Sequence, residues 1–184
     1  KVHGAAYAAG CQLVASCDLA YSTNDIYITD SKFSNNRYGI YIGEQYNENT
    51  SIVIDNCEFN NNTEWGVELG EHIFSSEVLN DCPFILSNST FSNNNHGLYV
   101  GYNTSICAEY NTIENNSYIG VYLRDQQPNL SNIKFHYNNI HDNDGTYDVE
   151  TPCCGNNSHE EFDFRFNYWG EDTTNEMNEG DNPK

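Results

Sequence analysis

Seven side chains suited to gripping a ligand recur at two fixed places in this chain. Tyr41, Glu68, Tyr99 and Tyr122 each lie two residues beyond a glycine, and Tyr38, Trp65 and His96 each lie immediately before one. Ile119 completes the second set. Residues at matched places in a stacked repeat form columns, so the two sets together predict one outer face of aromatic rings holding a carboxylate and an imidazole. Aromatic surfaces suit the C–H faces of sugar rings, and grouped exposed rings are more informative than scattered ones. The competing expectation is that the tyrosines are good outward strand residues whose rings pack on one another. Glu68 with Glu71 has the makings of an acid–base pair for glycoside hydrolysis, which needs two carboxylates roughly 5 to 10 Å apart. His96 or Tyr99 is the candidate base of a lyase.

The elements that must position these groups are written as a repeat. Ile26-Tyr27-Ile28 leads to Phe33, Asn35-Asn36 and Gly39-Ile40-Tyr41-Ile42, and the same order returns with Phe59, Phe91 and Ile113 in place of Phe33. A fifth copy carries Ile133-Lys134-Phe135, Ile140 and Asp142-Asn143, and a sixth survives as Phe162-Asp163-Phe164 with Trp169. Successive anchors are separated by 26, 32, 22, 27 and 29 residues, so the units match while their connecting loops differ. A period in this range marks stacked supersecondary units. Each half-unit alternates apolar and polar residues with period two, rich in Ile, Val, Tyr and Phe, as half-buried strands require. No helical periodicity is sustained. The paired asparagines fall where the chain must bend, since Asn tolerates left-handed backbone and bonds its own main chain. Stacked in register about 4.8 Å apart, they would also form an amide ladder. The glycines at 39, 66, 97 and 120 mark a second bend. The fold expected is all-β, a parallel β-helix of about five or six coils, right-handed by the general rule for parallel crossovers. Its core is expected to hold Ile28, Phe33, Ile40, Ile42, Ile54, Phe59, Val67, Leu69, Leu86, Phe91, Leu98, Val100, Ile113, Val121, Leu123, Phe135, Ile140 and Trp169.

From about Gly10 to Gly170 the repeat resembles that of the right-handed parallel β-helix proteins of the pectate-lyase-like superfamily, which are secreted carbohydrate-binding proteins and sugar-cleaving enzymes. Asn167-Tyr168-Trp169-Gly170 is similar to the NYWG close of many bacterial β-helix proteins. The resemblance implies that the loops from Gly43 to Thr50, Gly70 to Cys82 and Arg124 to Asn132 wall a binding groove, with Glu44, Glu71, His72, Arg124 and Asp125 on its border. It implies no intact active site, because the paired Asp-Asp, Arg-x-Lys and Asp-Pro-His signatures of the enzymes are missing. The His96-Gly97 dipeptide is similar to the His-Gly of polygalacturonases, although the repeat already requires Gly97.

At 184 residues the chain reads as one domain, with 171–184 a C-terminal extension or the start of a following element. Neither end supplies an obvious polar cap, so a segment of a longer protein is expected. Seven basic against 27 acidic residues give a formal charge of −20, which disfavours nucleic acid and anionic membranes. An acidic polysaccharide would need Ca²⁺ to bridge it. No apolar run reaches membrane-spanning length. Seven N-x-Ser/Thr sequons, among them Asn49, Asn88, Asn103 and Asn129, are expected by chance in a chain with 29 asparagines. Seven cysteines, an odd number, leave at least one thiol free or paired elsewhere. Cys11 and Cys17 could bridge a loop, Cys57 and Cys82 flank a coil and its loop, and Cys153-Cys154 sit in an irregular stretch. Asp142-Asn143-Asp144-Gly145 with Asp148 resembles the opening of a Ca²⁺ loop but has no closing Glu, so turn chemistry is preferred and no cofactor is expected. The six histidines include no i, i+4 pair. The function expected is binding or display of a neutral glycan by a secreted or surface-exposed protein. The alternatives are a polysaccharide lyase or glycoside hydrolase, and a structural spacer or adhesin stalk.

Overall fold

The computed structural model describes residues 26–43, 51–70, 82–102, 104–124, 133–145, 147–151 and 162–179. The first coil runs through β1 (Ile26–Thr29), β2 (Lys32–Ser34) and β3 (Ile40–Ile42). The second repeats it with β4 (Ile52–Asp55), β5 (Glu58–Asn60) and β6 (Trp65–Leu69). The third has β7 (Phe84–Ser87), β8 (Thr90–Ser92) and β9 (His96–Val100). The fourth has β10 (Ile106–Glu109), β11 (Thr112–Glu114) and β12 (Ile119–Leu123), and the fifth β13 (Ile133–His136), β14 (Asn139–His141) and β15 (Val149–Glu150). First, second and third strands gather into three five-stranded parallel sheets, each ordered by coil. Isolated bridges Lys134–Asp163 and Asn139–Tyr168 begin a sixth turn. This is the parallel β-helix expected.

Strand alternation sends one apolar column per sheet inward. Phe33, Phe59, Phe91, Ile113 and Ile140 stand in register, and the Phe59 ring lies 5.2 Å from Phe33 and 4.6 Å from Phe91 in near-parallel stacking. From Ile54 to Ile140 the expected core residues are buried, and Ile28, Ile40, Ile42 and Trp169 pack on the core while only partly covered. These four lie in the first coil and the last, where stacking covers one side less fully. The core also takes the leading residue of each first strand after the first, Ile52, Phe84, Ile106 and Ile133, together with Ala108 and Cys57.

The bends form the expected amide ladder, with its rungs at Asn36, Asn62, Asn94 and Asn116, and divide each asparagine pair. Only the second Asn of each pair turns inward. Asn35, Asn61, Asn93, Asn115 and Asp142 take left-handed backbone (φ 54° to 60°), and the four asparagines are exposed. The second residues form the ladder: Asn94 Oδ1 accepts from Asn62 N at 3.0 Å and Asn62 Nδ2 at 2.8 Å, and Asn116 Oδ1 accepts likewise from Asn94. Each Nδ2 also donates to a main-chain carbonyl of the preceding coil, Asn94 to Phe59 O at 3.1 Å. The ladder continues through Asn143 and ends on Asp148, whose Oδ1 accepts from Asn143 N and Nδ2. A terminal rung needs only an acceptor, which explains a carboxylate there. A second ladder follows the first strand, running from Cys57 N to Ser89, then Asn111, Asn138 and Asn167. The glycines are required by space. A Cβ on Gly39, Gly66 or Gly97 would meet the carbonyl oxygen of the glycine one coil on at 2.3, 2.7 and 2.4 Å.

Each residue from Asn167 to Gly170 has a place. Asn167 is the last rung of the second ladder, and Tyr168 bridges to Asn139. Trp169 packs on the core, and Gly170 takes φ +81°. Helix α1 (Glu171–Glu179) follows, with Glu171 and Asp172 at its positive end. Cys82 is bonded to Cys107, one coil on, and Cys57 is a buried free thiol. Thus Cys57 and Cys82 do not pair. Cys11, Cys17, Cys153 and Cys154 lie outside the described residues. No described helix is long and apolar enough to cross a membrane.

Candidate functional site

The third sheet carries the expected face. Tyr41, Glu68, Tyr99 and Tyr122 are in register along β3, β6, β9 and β12, and Glu150 of β15 extends the column. Trp65 and His96 face each other in the second column, their rings stacked at 4.1 Å. The Trp65 ring also meets Tyr99 edge-on at 5.2 Å and lies 6.3 Å from Tyr122, which joins the two columns. Tyr38 and Tyr41 are 5.7 Å apart at the first coil. Ile119 leaves the face, being 3% exposed.

Ring orientation modifies the expected platform. Tyr99 and Tyr122 stack on each other at 5.6 Å and 10°, and His96 covers one face of Trp65. Stacking along the solenoid axis is forced by the strand spacing, and it turns ring edges and hydroxyls outward rather than ring faces.

Two residues absent from the sequence reading complete the site. Arg37 and Glu64 each lie two positions before a glycine, a third column that also contains Asn95 and Tyr118. Arg37 Nε donates to Glu64 Oε1 at 3.0 Å, and Tyr38 Oη donates to Glu64 Oε2 at 3.1 Å. These bonds hold the Glu64 carboxyl below the usual carboxylate range. Glu68 differs: no described residue gives it a hydrogen bond or an ion pair, and burial first, then the Glu64 charge, raises its pKa. Burial lowers the His96 pKa, favouring the neutral imidazole, and its Nδ1 is buried without a partner. Arg124 reaches the Tyr99 hydroxyl at 3.5 Å. Glu44, Glu71, His72 and Asp125 lie outside the described residues, so the Glu68–Glu71 pairing does too.

The chain matches, over residues 19–164, the family described as right handed beta helix region. It belongs to that family. The handedness of the three-sheet solenoid follows from this membership. Comparison with curated proteins and with solved structures returned no match.

Elsewhere on the β-helix, Asp148 Oδ1 is the terminal acceptor of the Asn ladder. Asp142 contacts the His141 ring at 2.8 Å, and no group of three His, Cys, Asp or Glu able to hold a metal ion occurs among the described residues, Asp144 included. A second aromatic column was not foreseen. Tyr110, Tyr137 and Phe166 take left-handed backbone (φ 58°, 57° and 67°) and stack at 5.4 and 5.2 Å on the bend after the first strand. The signal was readable, for Tyr110 and Tyr137 each directly follow an inward–outward–inward–outward strand, and Phe166 follows the matching apolar–polar run Phe162–Arg165. Stacking of the rings offsets an unfavourable backbone for bulky residues.

Proposed function

We propose that this β-helix binds carbohydrate on the outer face of its third sheet and that the protein is secreted or displayed on a surface. The observation that carries the reading is the joining of Tyr41, Trp65, Glu68, Tyr99 and Tyr122 on one face by register and ring contact. Trp65 supplies the apolar stacking surface, the tyrosine hydroxyls and Arg124 meet sugar hydroxyls, and Glu64 and Glu68 accept from them. The disulfide between Cys82 and Cys107 supports an oxidising compartment. A glycan array followed by calorimetry on the best ligand tests the reading. Trp65→Ala should weaken binding more than Tyr122→Ala, because the indole offers the larger stacking surface and touches rings of two further coils. An array on which nothing binds returns the spacer reading to first place.

One observation favours hydrolysis as a second reading. Glu64 is held ionised while Glu68 is biased towards its protonated form, the division of roles a glycosidase needs. An assay for released reducing ends decides it, with Glu68→Gln abolishing turnover if Glu68 is the acid.

A further inference from the structure

Resting on the carbohydrate reading, we infer that the glycan taken by this face carries free amino groups, a hexosamine chain whose ammonium sits against Glu68 between the flanking rings. Composition alone points to a neutral glycan, but the local charge points further.

The cations near the face are already engaged. Arg37 is bound to Glu64, and Arg124 donates to the Tyr99 hydroxyl. Glu68 stands half-buried without a hydrogen bond or ion pair among the described residues, and the attraction of Arg37, which is bound to Glu64, is the least of the influences on it. Its neighbours one coil back and one coil on are Tyr41 and Tyr99. Trp65, three residues earlier on the same strand, touches Tyr99. A carboxylate flanked by tyrosine hydroxyls is an environment that attracts an ammonium ion, through a charge-assisted hydrogen bond to the carboxylate and ordinary hydrogen bonds to the hydroxyl oxygens. A uronate would bring a second negative charge to a chain at −20. An N-acetylated sugar or a plain hexose would offer the carboxylate neutral hydroxyl donors, weaker partners for a charge than an ammonium. An amino sugar alone among these supplies the missing charge and retains the ring and hydroxyls that the rest of the face accommodates.

The test compares three oligosaccharides of equal length and linkage, made of glucosamine, N-acetylglucosamine and glucose, by calorimetry with the full 184-residue chain. The amino form should bind at least about tenfold more tightly than either other form, and the preference should shrink with added salt. Glu68→Gln, which keeps shape and removes charge, should reduce the amino form to the affinity of the glucose form. In the unmutated protein the preference should also fade as pH falls through the Glu68 titration, while the amine remains charged. Equal binding of all three, or a preference for the acetylated form, overturns the inference and leaves carbohydrate binding standing. Binding of none overturns both.

Discussion

Truncation of one rung, Asn94→Ala, tests whether the inner ladder holds the coils together. Asn94 is fully buried at the centre of the stack. Its side chain satisfies three groups of the preceding coil: Phe59 O at 3.1 Å, Asn62 N at 3.0 Å and Asn62 Nδ2 at 2.8 Å. Asn62 Nδ2 retains Phe33 O, Asn116 Oδ1 retains the Asn94 main-chain N–H, and Phe59 O keeps its place in the β5–β8 ladder, so one main-chain group, Asn62 N–H, is stranded. A buried group without a partner costs about 1 to 3 kcal/mol, and the variant should lose about that much. Urea unfolding followed by far-ultraviolet circular dichroism measures this as a fall in midpoint at constant slope. Asn93, one residue earlier, is the control, because it is exposed and contributes only its left-handed φ of 56°. Asn93→Gly should change stability by no more than about 0.5 kcal/mol, since glycine adopts that backbone freely. Loss of less than about 0.5 kcal/mol in Asn94→Ala would refute the ladder as a stabilising device.

The other predictions use the same unfolding assay. Phe59→Ala should lose about 3 to 5 kcal/mol by opening a cavity between two stacked rings, and a loss near that of a surface substitution would mean that the column repacks. Asp148 has a pKa raised first by burial, against the lowering bonds from Asn143, so the folded chain binds this proton more tightly than the unfolded chain. Its contribution is therefore full below the unfolded carboxyl pKa and lost as pH rises through the folded one. Asp148→Asn should remove that downward slope above about pH 4, and identical slopes in the two proteins would show that the carboxyl does not titrate differently on folding. Glu68→Gln should raise the unfolding midpoint at neutral pH, because the folded chain bears an unpaired, partly buried charge there. A lowered midpoint would reveal a cation beside it.

What the sequence disclosed was whatever repeats. Phe59 and Phe91 occupy one place in successive units, and period-two alternation assigns them to the interior without further information. The inward turn of Asn62 matches the ladder expected at the second place of each pair, whereas the left-handed, outward turn of Asn61 is visible only in the backbone. Gly66 was readable as a bend but not as a point of close approach, since the Gly97 carbonyl that forbids a Cβ belongs to another coil. The pairing of Cys82 with Cys107 depends on register between coils and on a loop of irregular length. For the site, strand alternation placed Tyr41, Glu68, Tyr99 and Tyr122 in one column, whereas ring orientation follows from side-chain torsions that no periodicity encodes. Arg37 and Glu64 escaped notice because they sit in a bend, where alternation gives no direction.

In a solenoid the fold demands little of the outward positions, so a departure from the column's habit there carries information. Tyrosine at 41, 99 and 122 satisfies an outward strand position by propensity and by ring-on-ring packing, and a spacer would keep it throughout. Glu68 breaks that column at its second place, interrupting the ring stack between Tyr41 and Tyr99. It has poor strand propensity, it makes no described bond, and burial disfavours its charge. A residue that loses on packing, propensity and solvation together is retained for something outside the folded chain. The same holds for the buried, unpartnered Nδ1 of His96 beside Trp65. The two costs fall on one face, in neighbouring columns, and the inferred amino sugar relieves the first by bringing positive charge to Glu68.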